Sequence, residues 1–327
     1  MNKAAPRIIA LVPSFNHGRY VKQRIESVLE QTYDNVELVV IDDCSEDDSD
    51  LIIKSLQSKH GFQYIRNLHN SGTPFAAWEA ILSIAQGDYI WICESDDYAD
   101  PRFLEVAIKA LNAVPGAALA YCDSWVIDER GQQIDHTDTY FHDIWHESRW
   151  DSSFVQPGMD ELRQFQIRGQ TVPNMSSALI SVGAFRKSYH PFLKKLKLTG
   201  DWLFVGWVMR EGAVVYIKKT LSYFRRHEDT SRVRVKSARS QSEFILTKYL
   251  LFRAAGRPLR EFASVMSTDA VRFLYEPAGL FDVLRALFQI SVLKTLRCGA
   301  LLAASLVVNG HLMKKFRQRY KLVTKGN

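Results

Sequence analysis

Three short apolar runs, each ending in a polar or acidic turn, constrain this chain more than anything else in it. IIALV (8–12) stops at Pro13-Ser14-Phe15-Asn16, VELVVIDD (36–43) ends in two acids, and YIWIC (89–93) gives way to Glu94-Ser95-Asp96-Asp97. Between them, apolar side chains recur at helical spacing: Ile25, Val28 and Leu29 within 21–31, residues 51–58, then Phe75, Trp78, Ile81, Leu82 and Ala85 within 74–86. FQYIRN (62–67) and ALAYCDSWVID (118–128) read as further strands, and 101–114 as a helix opened by Pro and closed by Pro-Gly. Strands too apolar to be half-exposed, alternating with helices, predict an α/β chain with a parallel sheet covered on both faces. Ligands of such sheets sit at the carboxyl ends of the strands, and two of these ends carry acidic clusters.

The pattern changes over 131–175, which is rich in His, Trp, Tyr and Asp and has no clear period. It is expected to be a long loop or lid on the acceptor side of a site. MSSALISVGAFRK (175–187) reads as a strand leading into a short helix, DWLFVGWVMREG (201–212) as a helix, and AVVYIKKTLSYFRR (213–226) as two strands. Beyond Ser237 the chain turns helical. The expected organisation is one α/β domain over 1–236 and a helical, basic-amphipathic region over 237–327. A chain of 327 residues, 46% hydrophobic and 24% charged, suits that division and excludes a disordered class.

Charge is unevenly placed. From Leu280 onward nine Lys/Arg face one acid, Asp282, so residues 1–279 hold 33 basic and 35 acidic side chains. The domain therefore has no excess positive charge for nucleic acid. The tail couples its basic residues to apolar ones, and its last apolar run, 298–312, has 15 residues, short of the roughly 20 that span a bilayer. It reads as a helix on an anionic membrane surface; the alternative is a helical subdomain packed on the core or on a second copy in a homodimer. Cys44, Cys93, Cys122 and Cys298 show no metal-ligand spacing and read as free thiols of a reducing cytoplasm. The first strand starts too early, and is too short, for a signal peptide or anchor, so the expected location is cytoplasmic or peripheral on the inner face of the membrane.

Four places could carry chemistry. Carboxylates crowded at Glu94-Ser95-Asp96-Asp97 repel one another unless a cation sits among them, and Mg²⁺ or Mn²⁺ with phosphate as co-ligand is the natural occupant; a solvated acidic turn is the alternative. Asp42 and Asp43 repeat the arrangement one strand earlier, where an acid can accept from a base or a ribose or cap the next helix. Asp201 opens a helix, as an N-cap or as a general base near an acceptor hydroxyl. Arg225, Arg226 and His227 begin a charged stretch suited to neutralising a diphosphate, or simply to solvation. No GxGxxG, GxxxxGK[ST] or GxSxG occurs, so a dinucleotide fold, a P-loop or a hydrolase elbow would lack its defining turn.

Taken in order, Pro13-Ser14-Phe15-Asn16, Ser27-Val28-Leu29-Glu30-Gln31-Thr32, Val40-Ile41-Asp42-Asp43-Cys44-Ser45, Asn70-Ser71-Gly72, Ala85-Gln86-Gly87-Asp88-Tyr89-Ile90 and Glu94-Ser95-Asp96-Asp97 resemble a family 2 glycosyltransferase of the GT-A fold. The likeness covers roughly residues 7–232. The resemblance implies a nucleotide-diphosphate sugar donor, with Pro13, Phe15, Asn16, Asn70 and Gly72 around the nucleotide and Asp43, with Asp42 nearby, on the base. It sets Glu94 and Asp96, with Ser95 and Asp97, where the family's DxD stands: the first acid faces ribose, and Asp96, Asp97 and His227 hold Mn²⁺ or Mg²⁺. Asp201 matches the acid that deprotonates the acceptor, and Arg225 and Arg226 flank the leaving diphosphate.

Glu94 stands in place of the usual first Asp, and Gly200 in place of the Glu that usually precedes the base. A polymerase-type Gln-x-x-Arg-Trp motif is absent. The implied reaction is metal-dependent, inverting transfer of a single sugar to a saccharide or lipid-linked acceptor in bacterial surface polysaccharide or glycolipid assembly. The competing readings are a sugar-nucleotide nucleotidyltransferase, which would place a Gly-rich loop at the first turn, and a non-catalytic, membrane-associated nucleotide-sugar binder.

Overall fold

A computed structural model of the chain describes residues 5–84, 86–145, 147–227, 237–258 and 261–262. β1 (Ile8–Ser14), β2 (Val36–Asp42), β3 (Gln63–Arg66) and β4 (Tyr89–Ile92) pair in parallel in the order β3-β2-β1-β4. Side chains alternate across a strand. Ile8, Ala10 and Val12 accordingly enter one apolar layer with α1 (Val21–Leu29), α2 (Ser49–His60) and α4 (Phe103–Asn112). Ile9 and Leu11 enter the opposite layer with α3 (Phe75–Ile84). Burial on both faces is why β1, β4 and the middle of β2 are apolar at successive positions, while β3, at the sheet edge, is Gln-Tyr-Ile-Arg with exposed ends.

The sheet is mixed rather than wholly parallel. Beyond β5 (Tyr98–Ala99) and β6 (Ala117–Ile127), β9 (Ala178–Ser181) runs antiparallel between β4 and β6, and β5 and β8 (Phe154–Gln156) are antiparallel to β10 (Ala213–Arg225). β7 (Gln133–His136) folds back on β6. An apolar run signals burial but not direction, so the antiparallel members were not legible as such. The two strands expected over 213–226 are one long strand, parallel to β6, with register shifts between Ile217 and Ser222.

Residues 131–175 are not an irregular loop. They form β7, α5 (Thr137–Trp145), a 3₁₀ turn at Ser148–Asp151, β8, α6 (Gly158–Glu161) and a π-turn at Leu162–Gln166. Their aromatics fill the layer over β6 and β10: Phe141 stacks on Trp150 at 4.7 Å, Trp150 Nε1 donates to Tyr121 Oη, and the Arg149 guanidinium lies 3.9 Å from the Phe165 ring centroid. Such side chains each bury on the order of 150–250 Å², so the segment is held as core.

After α7 (Val182–Ser188), α8 (Gly200–Val208) is buried nearly all round between the sheet layer and α9 (Ser237–Ala254), with Leu246, Tyr249 and Phe252 of α9 in the same core. The first helix after residue 236 thus shares the core of the sheet. Cys44, Cys93 and Cys122 are free thiols. The amphipathic tail and Cys298 lie outside the described residues. Among the described residues no helix is long and apolar enough to cross a membrane.

Candidate active site

Parallel register aligns the ends of three strands, with Ser14 opposite Asp42 and Leu11 opposite Ile92. The turns after β1, β2 and β4 therefore open at one sheet edge, and a cavity of about 250 Å³ lies there. Pro13, Phe15 and His17 come to its wall from the first turn, Asp43 from the second, Glu94 and Ser95 from the third, and Asn70 and Gly72 from the loop before α3.

Asp43 organises that loop: its carboxylate accepts from Asn67 Nδ2 at 2.7 Å and from the backbone N–H and Oγ of Ser71 at 3.0 and 2.7 Å. Asn70 Oδ1 accepts from the N–H of Gly72, whose φ of +71° is a left-handed conformation glycine adopts without steric cost. Asp42, expected beside the base, points away. It is fully buried and accepts from Ser45 N and Oγ, with Arg66 Nε at 3.4 Å. Asn16, at φ +53°, joins the β1 and β2 turns by donating from its N–H to Ser45 Oγ and accepting from Glu46 N–H.

The four residues after β4 divide by direction. Asp97 is 2% exposed, and its two oxygens accept from Ser176 Oγ at 2.7 Å and from the Arg225 N–H at 2.9 Å. It anchors the turn from behind instead of standing beside Asp96 as a ligand. Ser176 also accepts from the Glu94 N–H at 3.1 Å, so one hydroxyl ties both ends of the acidic turn. Burial pushes the Glu94 carboxyl up to about 8, with Asp96, Asp97 and Asp201 adding repulsion. Burial, then Asp96, pushes Asp97 up to about 7. Burial would raise Asp96 too, but the His227 hydrogen bond and the imidazoles of His17 and His227 hold it below its ordinary value.

His227 Nε2 lies 3.0 Å from Asp96 Oδ2. His17, a residue the motifs did not single out, completes the group: one ring nitrogen from each histidine and one Asp96 oxygen all lie within 4.8 Å of one another. Ligand atoms about 2.1 Å from a cation sit roughly 3–4.5 Å apart, so this donor set fits a divalent ion. A second such group, Asp123, His136 and Asp138, is already neutralised by Lys218, whose Nζ is 3.3 Å from Asp123 and also bonds Asp138.

Arg225 and Arg226, expected beside the diphosphate, have different surroundings. Arg225 is 2% exposed and donates to the carbonyls of Asp96 and Asp128 and to Gln23 Oε1, with Tyr20 beneath its guanidinium. Arg226 turns towards Asp135 at 3.9 Å.

Asp201 stands in the first turn of α8. Its Oδ1 accepts from the Trp202 N–H at 2.8 Å and its Oδ2 from Gln170 Nε2 at 3.1 Å. A reciprocal pair, Trp202 Nε1 to Gln166 C=O and Gln166 Nε2 to Trp202 C=O, locks the helix start to the segment carrying Gln170. From α9 the fully buried Glu243 accepts from the Lys197 and Leu198 N–H groups, fixing the turn that leads to Asp201. Gln170, Ser176 and Glu243 lie outside any motif, and only the folded chain brings them here.

Residues 9–177, just over half of the chain, match the family model described as Glycosyl transferase family 2. Among curated relatives, the glycosyltransferase GlyG of Streptococcus pneumoniae is 33% identical over 98 residues, 30% of this chain and 33% of that protein. The match thus spans a third of that relative's length. Of solved structures, Staphylococcus aureus TarS 1–349 in complex with UDP-GlcNAc superposes with a TM-score of 0.67 at 17% identity, over 95% of this chain and 92% of that one. The Pyrobaculum calidifontis mannosyltransferase PcManGT in complex with GDP-Man and Mn²⁺ gives 0.52 at 17% identity, over 97% and 83%. At those identities the two structures share the fold of this chain.

Proposed function

The chain belongs to glycosyl transferase family 2, and from this premise we propose that it is a nucleotide-sugar transferase that moves one sugar from a nucleoside-diphosphate sugar to an acceptor hydroxyl with inversion at the anomeric carbon. One observation carries the reading: Glu94 and Ser95, which lead directly into Asp96, line the same cavity as Asp43, and Asp96 in turn meets His227 at 3.0 Å. Donor pocket and candidate metal ligands are therefore contiguous, and the candidate base Asp201 follows Gly200, which packs on Phe75 beside the cavity residue Pro74.

In this reading Phe15 and the backbone of the β1 turn hold the nucleobase, Asp43 accepts from it, and Glu94 faces the ribose. Asp96 and His227 would hold the divalent cation, Mn²⁺ or Mg²⁺, which would supply neutralisation of charge on the diphosphate. Asp201 takes the proton from the acceptor hydroxyl as its oxygen bonds to the anomeric carbon, and the carbon–phosphate oxygen bond breaks with its electron pair leaving on the nucleoside diphosphate. Gln170 and the Trp202 N–H keep the carboxylate in one orientation. The donor complexes of TarS and PcManGT, the latter with Mn²⁺, support the donor class and the metal.

The catalytic unit, expected over residues 1–236, is proposed to extend through α9, which shares its core and fixes the turn into Asp201. Its acceptor is a saccharide or lipid-linked glycan met across the 131–175 segment. The basic, amphipathic sequence beyond Leu280 supports docking on an anionic membrane surface or on a second copy. Thermal-shift screening against UDP-, GDP-, dTDP- and CMP-sugars with Mn²⁺, followed by nucleotide-release assays and NMR of the product's anomeric configuration, tests the reading. Stabilisation by a diphosphate sugar with an inverted product is expected. A response to CMP-sugars alone, a retained configuration, or no response to any donor would overturn it.

A further inference from the structure

We propose that His17 is a third protein ligand of the metal, so that the ion is held by two imidazoles and one carboxylate rather than by carboxylates; this rests on the metal reading above. Three observations converge on it. His17 follows β1 and His227 follows β10, yet their rings meet edge to face with centroids 5.7 Å apart, and one nitrogen of each ring and an Asp96 oxygen form a group no wider than 4.8 Å. The His17 ring is held in place: its backbone N–H donates to Ser49 Oγ, its Nδ1 lies 2.7 Å from Ser95 Oγ, and Tyr20 packs at its edge. A ring nitrogen held by a hydroxyl in this way is how a neighbouring group orients a ligating imidazole and selects its tautomer. Finally, the neighbouring acid that would make an oxygen-only site, Asp97, spends both oxygens on Ser176 and Arg225.

The donor set determines which ion is preferred. Imidazole nitrogens suit the divalent transition ions, the later ones most strongly and Mn²⁺ least among them, whereas Mg²⁺ selects hard oxygen ligands and keeps its waters. The site is therefore a transition-metal site able to bind Mn²⁺ before the nucleotide arrives, with Mg²⁺ a poor substitute. Because His17 also lines the donor cavity, it links the loop that holds the nucleobase directly to the ion.

The test uses the full chain stripped of metal and titrated with Mn²⁺, followed by electron paramagnetic resonance, alone and with UDP present. Electron-spin-echo modulation on the bound Mn²⁺ counts coordinated imidazoles. Two are expected in the wild type. In His17→Asn, which keeps a hydrogen-bond donor towards Ser95, one is expected, with Mn²⁺ bound about tenfold or more weakly and the preference over Mg²⁺ reduced. Melting of the metal-free forms checks that the variant folds; if it does not, the nitrogen count of the wild type decides alone. A single imidazole in the wild type, or an unchanged Kd and count in folded His17→Asn, overturns the role of His17 while leaving the metal reading intact. No Mn²⁺ binding by the wild type even with UDP overturns both.

Discussion

A Cβ placed on Gly200 would lie 2.3 Å from Cζ of Phe75 and 2.4 Å from its Cε2. The ring of α3 thus occupies the volume in which a side chain at position 200 would begin, which is why the residue before Asp201 is glycine where the family pattern has glutamate. Phe75 is in turn fixed at 4.8 Å against Trp78. Gly200→Ala is expected to cost about 1–3 kcal/mol through overpacking. Phe75→Leu removes the atoms in the way, so the double variant should lose measurably less than the two single losses combined. Denaturant unfolding of the four proteins closes the cycle; losses that simply add would show that Phe75 is not the obstacle.

Asp201 supplies a more direct test of the chemistry. Asp201→Asn keeps the shape of the side chain and its bond to the Trp202 N–H but cannot take a proton. Transfer should fall by about 10²–10⁴-fold while affinity for the donor nucleotide is unchanged. Gln170→Leu, which removes only the donor to Oδ2, should lower kcat with little change in donor KM. Steady-state kinetics with both variants separates the two roles, and transfer retained by Asp201→Asn would remove it from the role of base.

Asp96 has a different signature. Asp96→Ala removes the carboxylate that meets His227 and is grouped with both imidazoles, so donor binding should lose its dependence on divalent metal. Calorimetry of nucleotide binding with Mn²⁺, and again after chelation, is expected to show a large difference in the wild type and none in the variant. Unchanged metal-dependent affinity in Asp96→Ala would refute its assignment.

The sheet and one edge of the site were legible because their signals are local. Strands buried on both faces are apolar at every position, and the acids after β2 and β4 stand immediately beyond such runs. Direction was not legible: residues 95–96 form a turn, outside the strand alternation that would fix which way a side chain points, and there Asp96 reaches the histidines while Asp97 turns inward to Ser176 and Arg225. The aromatic segment over 131–175 reads as a lid in sequence because short 3₁₀, π and two-stranded pieces impose no period, although Phe141, Trp145 and Trp150 are core. His17, Gln170 and Glu243 act on partners 78, 31 and 46 residues away in the chain, contacts that no local pattern encodes.

Glu243 illustrates the long-range part of that design. It carries the N–H groups of Lys197 and Leu198 from α9, while Thr247 bonds Thr199 at 2.7 Å. Glu243→Ala strands two N–H donors, each worth about 1–3 kcal/mol when left unpaired in a buried place, and loosens the turn into Asp201. Both melting temperature and kcat should drop. Glu243→Gln retains one acceptor oxygen and should recover much of the stability. Equal loss in both variants would point to the charge rather than to the hydrogen bonds.

Arg225 looked, on charge alone, like a group for the leaving diphosphate, yet its guanidinium is spent on carbonyls. It donates to Asp96 C=O at 2.7 Å and to Asp128 C=O at 3.0 Å, and its own N–H donates to Asp97. Arg225→Lys keeps the positive charge but loses the planar fork that serves several acceptors at once. The expected result is a loss of roughly 3 kcal/mol of stability and a weakened metal site, because the Asp96 backbone is no longer braced. A role at the diphosphate would give the reverse: Lys would preserve much of the activity and the fold would be unaffected. Unfolding free energy measured beside Mn²⁺ affinity in the one variant therefore decides between bracing and direct contact.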